Sequence, residues 1–353
     1  MSHLFQTFRQ RDLELRNRIV LSPMCQYSSV DGMPDDWHLV HLGSRAVGGA
    51  AVVMTEALAV VPEGRISPED AGLWNDAQAG AWARIAAFIA AQGAVPAVQL
   101  AHAGRKASTF APWRGHGEVP REGGGWQTMA PSAVRYADDY PLPQALDEAG
   151  IAAVVAAFRD AAARAASAGF GLVEVHAAHG YLLHQFLSPL SNRRTDGYGG
   201  SFDNRTRIVR EVLGAVREAW PGDRPLWLRI SATDWVDGGW DLEQSVALSA
   251  QLDALGVDLV DVSSGGLAPE QRIEVGPSYQ VPFAARIRRE AGIATGAVGM
   301  ITGAAQAEAI LAAGDADVVL LAREFLRDPY FPRRAAHELG DAPPAPEQYL
   351  RAW

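Results

Sequence analysis

Eight short apolar runs recur along the chain, most of them closed by Gly, Ser, Pro or Asp and then followed by a stretch of different pattern. Their apolar residues are consecutive rather than alternate, which is typical of strands buried on both faces of a parallel sheet. The runs cover residues 19–24, 50–57, 95–102, 171–179, 225–231, 259–266, 294–300 and 317–324. These runs constrain the fold, because other elements must cover the apolar side chains on both faces of each strand.

The segments between the runs supply that cover, since they show the helical period of about 3.6 residues. These predicted helices span residues 37–47, 77–92, 147–167, 202–220, 242–255, 283–291 and 303–313. Strands that alternate with helices eight times predict the α/β class and a (β/α)8 TIM barrel. A doubly wound sheet is the competing fold, but no G-x-G-x-x-G fingerprint follows the first run. We therefore expect one barrel domain over residues 1–353.

One connection is too long for a simple strand-to-helix turn. Residues 103–146 are rich in Gly, Pro, Trp and Arg and lack helical periodicity. A long irregular segment in a compact domain is usually functional, and a barrel carries its active site at the carboxyl ends of the strands. We expect residues 103–146 to be a lid inserted after the third strand.

Charge and cysteine content restrict the partners and the compartment. The formal net charge is −10 and the pI is about 5.4, which disfavours nucleic acids and membranes as partners while allowing a local basic pocket. Cys25 is the only cysteine, so no intrachain disulfide can form and a reducing compartment is indicated. The N-terminal segment has no apolar core of a signal peptide and no apolar run is long enough to span a bilayer. These observations predict a cytoplasmic location.

Polar residues stand where the predicted strands end. The carboxyl ends of barrel strands converge on one mouth, so these residues are expected to line a common pocket rather than to be separate solvated loop residues. They are Ser22, Cys25, Tyr27, Glu56, Gln99, His102, His176, His179, Tyr181, Arg229, Ser263, Ser264 and Arg323.

His176 and His179 allow three interpretations. Zinc needs three or four ligands, and no third ligand has suitable local spacing, so no metal site is predicted. Burial in the core remains open, because histidine is intermediate in burial. The third interpretation is a pair of N–H donors to a substrate oxygen, with Tyr181 as a proton donor, since its hydroxyl is protonated below a pKa of about 10. His184, later in the same stretch, is interpreted as structural.

Two further features indicate an anionic ligand with a flat ring. Gly299 and Arg323 follow the seventh and eighth runs, where barrels most often bind phosphate, although a tight turn and a surface ion pair are the alternatives. Arg229 lies inside an apolar run and needs either a buried partner or a bound anion. Gln99 offers a donor and an acceptor at the end of its own strand. A planar heterocycle with alternating donors and acceptors would suit Arg229 and Gln99.

The chain resembles the Old Yellow Enzyme family of flavin-dependent ene-reductases, and within it the bacterial subclass with a cysteine beside the flavin. The resemblance is carried by "NRIVLSPMCQY" (17–27), "QLAHAGRK" (99–106) and "VEVHAAHGYLLHQFLSPLSNRRTDGYGGSFDNRTR" (173–207). "AVGMITG", "AREFLRDPYFP" and the tail "QYLRAW" extend it to the end of the chain. It implies a TIM barrel that binds FMN tightly and uses NADPH or NADH.

The resemblance also implies which residues hold FMN. Gln99 would meet the pyrimidine edge of the ring, and Arg229 would face its N1 side. Where the family more often has Gly before the phosphate-binding arginine, this chain has Ala322. The implied cofactor-binding residues are Ser22, Pro23, Met24, Cys25, Ala57, Gln99, Arg229, Gly299, Ala322 and Arg323.

The activity implied is reduction of the C=C bond of a small enone or nitro compound. His176 and His179 would hold the substrate oxygen and Tyr181 would donate the proton. Cys25 would tune the flavin, and Tyr27 would close over the substrate. Arg351, in the tail 341–353, would reach a neighbouring subunit and complete its site, which implies a homodimer or homotetramer.

Other functions were weighed against this one. A related flavin oxidoreductase acting on nitro compounds or nitrate esters stays open. Dienoyl-CoA or amine oxidoreductases with the same barrel carry an iron–sulfur cluster, which one cysteine cannot hold. A flavin-binding barrel without turnover would be expected to lose the histidine pair or Tyr181, and a metal-dependent aldolase would need a carboxylate-rich mouth.

Overall fold

The computed structural model describes residues 1–352 and contains a closed barrel of eight parallel strands. Each strand pairs with the next along the chain, and the eighth pairs with the first. The predicted TIM barrel is therefore confirmed. The strands are Ile19–Leu21 (β1), Val52–Ala59 (β2), Val95–Ala101 (β3), Leu172–Ala177 (β4), Leu226–Ser231 (β5), Leu259–Ser263 (β6), Ala294–Val298 (β7) and Val318–Leu321 (β8).

Helices surround the barrel and follow the predicted alternation. Five of them begin at a side chain that accepts a hydrogen bond from a backbone N–H of the first turn, as Asn75 does for Gln78 (2.9 Å). The helices are Asp36–Val47 (α1), Asp76–Ala91 (α2), Glu148–Ser167 (α3), Leu182–Leu187 (α4), Phe202–Ala219 (α5), Leu242–Ser249 (α6), Val281–Ala291 (α7), Ala304–Ala312 (α8), Arg323–Arg327 (α9) and Phe331–Leu339 (α10).

The structure differs from the predicted elements in three places. The helix expected over 242–255 stops at Ser249, and a separate 3-10 turn, Asp253–Leu255, follows and ends at Gly256 with φ +76°. An antiparallel hairpin of Phe8–Gln10 and Leu13–Leu15 precedes the barrel. The helices α4, α9 and α10 were not predicted; α4 and α9, with six and five residues, carry too few helical repeats to show a period.

The barrel interior changes character along its axis. Alternate residues of a strand point to the same face, and the inward residues near the amino ends are apolar, among them Ala97, Leu172, Trp227 and Leu259. Two positions further along the same four strands the inward residues are all polar. We call these four residues the polar layer: Gln99, Glu174, Arg229 and Asp261.

The segment 103–146 has little regular structure but is anchored at several points. Its one strand pair joins Met129–Ala130 to Gln144–Ala145. The Arg105 guanidinium donates to the carbonyls of Val134 (3.3 Å) and Leu267 (2.7 Å). These contacts tie the segment to the loops around the carboxyl ends of the strands. Among the described residues, no helix has the length and apolar character needed to cross a bilayer.

Two glycines let the loop after β4 approach the loop after β6. Gly180 has φ +73°, and a Cβ there would lie 2.1 Å from the carbonyl oxygen of Gly266. Gly266 has φ +90°, and its Cβ would lie 2.6 Å from Cα of His179. Any side chain would force these loops apart, so the backbone contact fixes where His179 sits.

Replacing Gly180 with alanine is expected to lower the free energy of unfolding by roughly 1–3 kcal/mol, since the new side chain would be strained and would clash. The control is Gly214→Ala in α5, where a Cβ meets nothing within 4 Å and alanine favours the helix by about 1 kcal/mol. Urea unfolding followed by circular dichroism measures both. Equal stability of Gly180→Ala and the wild type would contradict the close approach.

Candidate active site at the mouth of the barrel

The strand register brings the polar layer together. Gln99 lies opposite Glu174 on neighbouring strands, and Arg229 lies opposite both His176 and Asp261. The Arg229 guanidinium also reaches across the barrel, where Nη1 donates to the Ser22 hydroxyl at 3.1 Å. Residues from five strands thus meet at the carboxyl end.

Arg229 has the buried partner that its place in an apolar run required. Its Nε lies 3.1 Å from Oδ2 of Asp261, whose side chain is inaccessible to solvent. Glu174, equally buried, accepts a hydrogen bond from Nε2 of Gln99 at 2.8 Å. Burial, followed by the charge of Asp261, raises the pKa of Glu174 to about 8. Burial also raises the pKa of Asp261 to about 6, although the Arg229 charge opposes this shift.

The two histidines stand side by side at the mouth. Their ring centroids are 5.2 Å apart and the rings are nearly perpendicular. Nδ1 of His176 accepts the Ala178 backbone N–H at 3.2 Å, so in the neutral ring the proton is on Nε2. Nε2 of His179 lies 2.7 Å from the Ser263 hydroxyl. Burial, and then the positive charge of Arg229, holds both histidine pKa values well below their usual range.

Tyr181 stands next to this pair. Its ring centroid is 5.1 Å from that of His176, and burial raises its hydroxyl pKa well above the ordinary value. The hydroxyl is therefore protonated at neutral pH and is available as an acid.

Lys106 anchors the same loop and was not assigned a role from the sequence. Its Nζ donates to the carbonyls of His179 and Gly266, both at 2.9 Å, and lies 5.3 Å from the centre of the Tyr181 ring. His179 has φ +57°, an uncommon conformation for a residue other than glycine. The two lysine bonds stabilise this turn of the backbone. Burial, and then Arg105, lowers the pKa of Lys106 to about 8.

His184, interpreted as structural, is enclosed by protein. Its Nδ1 accepts the Gly180 N–H at 2.9 Å, and its Nε2 lies 2.8 Å from Oδ1 of Asp234. Both side chains are inaccessible to solvent. The contacts fit the structural interpretation.

Cys25 lies in an acidic pocket, and Asp70 of this pocket lines a cavity together with Tyr181. The Cys25 thiol, one oxygen of Glu56 and one oxygen of Asp70 lie within 4.8 Å of one another. Both Glu56 oxygens already take part in hydrogen bonds, with the Gln26 N–H and with Nε2 of His38, each at 3.0 Å. Burial, and then the charge of Asp70, raises the pKa of Cys25 well above its ordinary value, so the thiol is protonated. The sequence did not point to Asp70, which lies in a loop away from any strand end.

Tyr27 links this acidic pocket to the segment 103–146. It has φ +48°, and its ring meets the edge of the Trp113 ring with centroids 5.5 Å apart. Trp113 is 66% exposed. An aromatic side chain of the segment thus lies at the rim of the pocket.

The residues expected to hold a phosphate line one cavity of about 160 Å³. Gly299, Ala322 and Arg323 all contribute to its wall. Gly299 has φ +125°, and a Cβ there would lie 2.9 Å from Nε2 of Gln280, so only glycine leaves this wall open. Ala322 has φ −109°, outside the left-handed region that favours glycine. The Arg323 guanidinium forms no ion pair with another described residue.

These features fit FMN. An arginine without a protein counter-ion and a glycine-walled cavity suit a phosphate. The polar layer and Ser22 offer donors and acceptors to the polar edge of a flavin ring. Of the other expected contacts, Pro23, Met24 and Cys25 follow Ser22 directly in the chain, and Ala57 lies opposite Gln99 on the neighbouring strand.

Arg351 is not brought to this site within the chain. The tail packs near α10, where the Tyr349 hydroxyl lies 3.5 Å from that of Tyr330 and Arg333 donates to the Pro344 carbonyl at 3.1 Å. Arg351 is exposed and pairs with no other described residue. The end of the predicted tail, Trp353, lies outside the described residues.

Comparisons with known proteins agree with this geometry. Residues 3–342 match the NADH:flavin oxidoreductase / NADH oxidase family. The chain is 48% identical to an NADPH dehydrogenase of Listeria innocua, covering 100% of both chains. It is also 48% identical to an NADPH dehydrogenase of Geobacillus thermodenitrificans, covering 99% of this chain and 98% of the relative.

Solved structures give the same result. Morphinone reductase in complex with tetrahydroNAD superposes with a TM-score of 0.80 at 29% identity, covering 98% of this chain and 93% of that one. An old yellow enzyme homologue from Zymomonas mobilis has a TM-score of 0.80 at 25% identity, covering 95% of this chain and 92% of that one. The chain therefore belongs to the NADH:flavin oxidoreductase / NADH oxidase family and is an FMN-dependent, NAD(P)H-using oxidoreductase of the Old Yellow Enzyme type.

Proposed function

We propose that this protein is an ene-reductase that reduces the activated C=C bond of small α,β-unsaturated carbonyl or nitro compounds. The observation that carries the proposal is the grouping of two neutral histidines and a protonated tyrosine beside the polar layer. Bound FMN supplies the hydride chemistry, with NAD(P)H as the source of electrons. The residues of the chain hold the alkene and stabilise the charge that develops on it.

The histidine pair is suited to bind the substrate oxygen. With Nδ1 occupied by the Ala178 N–H, His176 presents Nε2–H as a donor. His179 can turn its donor from the Ser263 hydroxyl to a ligand, as neutral rings exchange partners at little cost. Donors fixed before the reaction stabilise negative charge that appears on the carbonyl or nitro oxygen, and one such donor contributes about 2.7–4 kcal/mol. Their neutrality means that they donate hydrogen bonds without protonating the oxygen.

Tyr181 is suited to deliver the proton to the α-carbon. Its raised pKa keeps the hydroxyl protonated, and Lys106 holds the neighbouring backbone through His179. The arrangement separates the two tasks, with the histidines binding the oxygen and the tyrosine donating the proton.

The rim of the site supports a role in substrate selection. We assign Tyr27 to substrate binding, because it lies between Cys25 and Trp113, and we assign residues 103–146 to a lid over the mouth. Cys25, as a protonated thiol beside the ring site, would tune the cofactor through its dipole and polarisability. Arg351 is proposed to complete the site of a neighbouring subunit in a homodimer or homotetramer, and the single cysteine supports a cytoplasmic location.

The proposal predicts a yellow protein whose flavin absorption is bleached by NADPH under anaerobic conditions and restored by cyclohexenone. The measurement is an absorption titration, with formation of cyclohexanone followed by gas chromatography. Cyclohexanone, which lacks the C=C bond, is the control and should not restore the colour. A protein that binds FMN and is reduced by NADPH, but is not reoxidised by any enone or nitroalkene, would contradict the proposal.

The double variant His176→Ala, His179→Ala is expected to lose roughly 10²–10³-fold or more in the rate of cyclohexenone reduction, because the oxyanion donors are gone. FMN content should stay close to that of the wild type, since neither side chain belongs to the polar layer. Stopped-flow reoxidation of the pre-reduced protein measures the rate. The exposed His337→Ala in α10 is the control, and an unchanged rate in the double variant would remove the histidines from the mechanism.

Tyr181→Phe is expected to slow reoxidation by cyclohexenone by roughly 10²–10⁴-fold, because the general acid is lost. Reduction by NADPH should be nearly unaffected, as that step needs no proton from the protein. The two half-reactions are measured separately by stopped flow. Equal slowing of both would indicate a structural defect rather than the loss of a proton donor.

A further inference from the structure

The polar layer holds more acid than its one cation can neutralise. Arg229 is the only positively charged side chain in the layer, while Glu174 and Asp261 both carry carboxyl groups. All three are nearly or fully excluded from solvent, at 5%, 0% and 0% exposure respectively. Two carboxylates facing one guanidinium would leave a net negative charge inside the barrel, which is costly in a medium of low polarity.

The contacts show which carboxyl group interacts more weakly with the Arg229 guanidinium. Asp261 lies within ion-pair distance of Arg229, at 3.1 Å. Glu174 forms no ion pair among the described residues, and its only hydrogen bond is from Gln99 to Oε1. Its second oxygen, Oε2, is buried and has no hydrogen-bond partner in the described part of the chain. Both oxygens of Asp261 also lack such a partner, so the two acids differ in that only Asp261 has a counter-charge at ion-pair distance. A buried carboxylate without a counter-ion costs far more free energy than a buried neutral acid, so Glu174 is the group that loses its charge.

We propose that Glu174 is a protonated, neutral acid at neutral pH that orients the Gln99 amide and leaves Arg229 with one counter-ion, so that the site accepts the negative charge which reduction places on the cofactor. Glu174 is thus a positioning residue, since it acts through Gln99 and Arg229. The inference rests on the proposed placement of the FMN ring against these two residues. By donating Nε2–H to Glu174, Gln99 turns its carbonyl oxygen away from the acid, where it can accept a hydrogen bond from the cofactor.

The electrostatics of the layer support this assignment. Burial and the charge of Asp261 raise the pKa of Glu174 to about 8, against the opposing effects of Arg229 and Gln99. The groups that face Glu174 are Gln99 from β3, Arg229 with the apolar Trp227 from β5, and Asp261 from β6. Because the pKa is raised, Glu174 is neutral below about pH 8 and ionises above it. The layer is then neutral at pH 7 and carries one negative charge in alkaline solution.

Ionisation of Glu174 should disfavour the reduced cofactor, whose negative charge would lie near another anion. By linkage, reduction must raise the pKa of Glu174 in turn, so that a solvent proton binds to Glu174 when an alkaline solution of the protein is reduced. The proton is released again when the hydride leaves for the alkene. Each cycle therefore returns Glu174 to its starting state.

The test is the midpoint potential of the bound FMN in the wild type and in Glu174→Gln, from about pH 6 to about pH 10, across the Glu174 titration. Glutamine keeps the shape of the neutral acid, so the two potentials should agree at about pH 6–7. Above about pH 8 the wild-type potential should fall more steeply with pH than the potential of Glu174→Gln. The additional fall is at most about 30 mV per pH unit for two electrons, which is a tenfold change in the reduction equilibrium. The exposed Glu290→Gln should follow the wild type at every pH.

FMN binding to the apoprotein gives a second readout that needs no turnover. The wild-type affinity for reduced FMN should weaken above about pH 8 relative to that of Glu174→Gln. Parallel potential curves across the whole range, or different potentials near neutral pH, would overturn the proposal. If Glu174→Gln does not fold, the infrared spectrum of the Asp70→Asn apoprotein decides, because Asp70 is another buried carboxyl group whose pKa is raised well above its usual range by burial. A buried carboxylic acid C=O band must still be present in that variant at pH 7 and vanish in alkaline solution. Neither readout uses an alkene, so failure of ene-reduction is separable from failure of this inference.

Discussion

The site depends on the ion pair between the buried Arg229 guanidinium and Asp261. A guanidinium inside a barrel is tolerated only if it has a counter-charge and hydrogen-bond acceptors, and here Asp261 and Ser22 supply them. Its charge reaches the mouth, where it helps to keep His176 and His179 unprotonated. Burial is the larger cause of the low histidine pKa values, and the Arg229 charge adds to it.

Along the barrel axis, the residues that stabilise the fold are separate from the residues that form the site. Inward side chains near the amino ends of the strands are apolar and pack, while those two residues further along form the polar layer. Above the layer, the loops are set by backbone rather than by side-chain packing. Gly180 and Gly266 approach each other closely, and Lys106 bonds the carbonyls of both His179 and Gly266. A rigid floor and a fixed rim suit a site that must accept a hydride donor and an alkene in turn.

Much of the fold and part of the site could be predicted from the sequence, because strands and helices leave a periodic pattern of apolar residues in it. The eight apolar runs became β1–β8, and Gly299, Ala322 and Arg323 meet at one cavity because strands seven and eight are neighbours. Asp261 was missed as the partner of Arg229, and Glu174 as the partner of Gln99. A carboxyl group within an apolar run shows its direction only when the register of the strand is known.

Other residues escaped prediction for a different reason. Lys106 and Asp70 come from loops, and their contacts are set by the path of the chain rather than by any period. No pattern in the sequence indicated the structure of the segment 103–146. The role of Arg351 depends on a second subunit, which no feature of one chain can position.

The central claim is that the histidine pair binds the substrate oxygen above the polar layer. The most direct measurement is a crystal structure of the FMN-loaded protein with a phenol, which presents an oxygen on a flat ring but cannot be reduced. The phenol oxygen is expected within hydrogen-bond distance of both His176 and His179, roughly 2.7–3.2 Å. A phenol bound in the mouth with its oxygen directed away from both histidines would contradict the account.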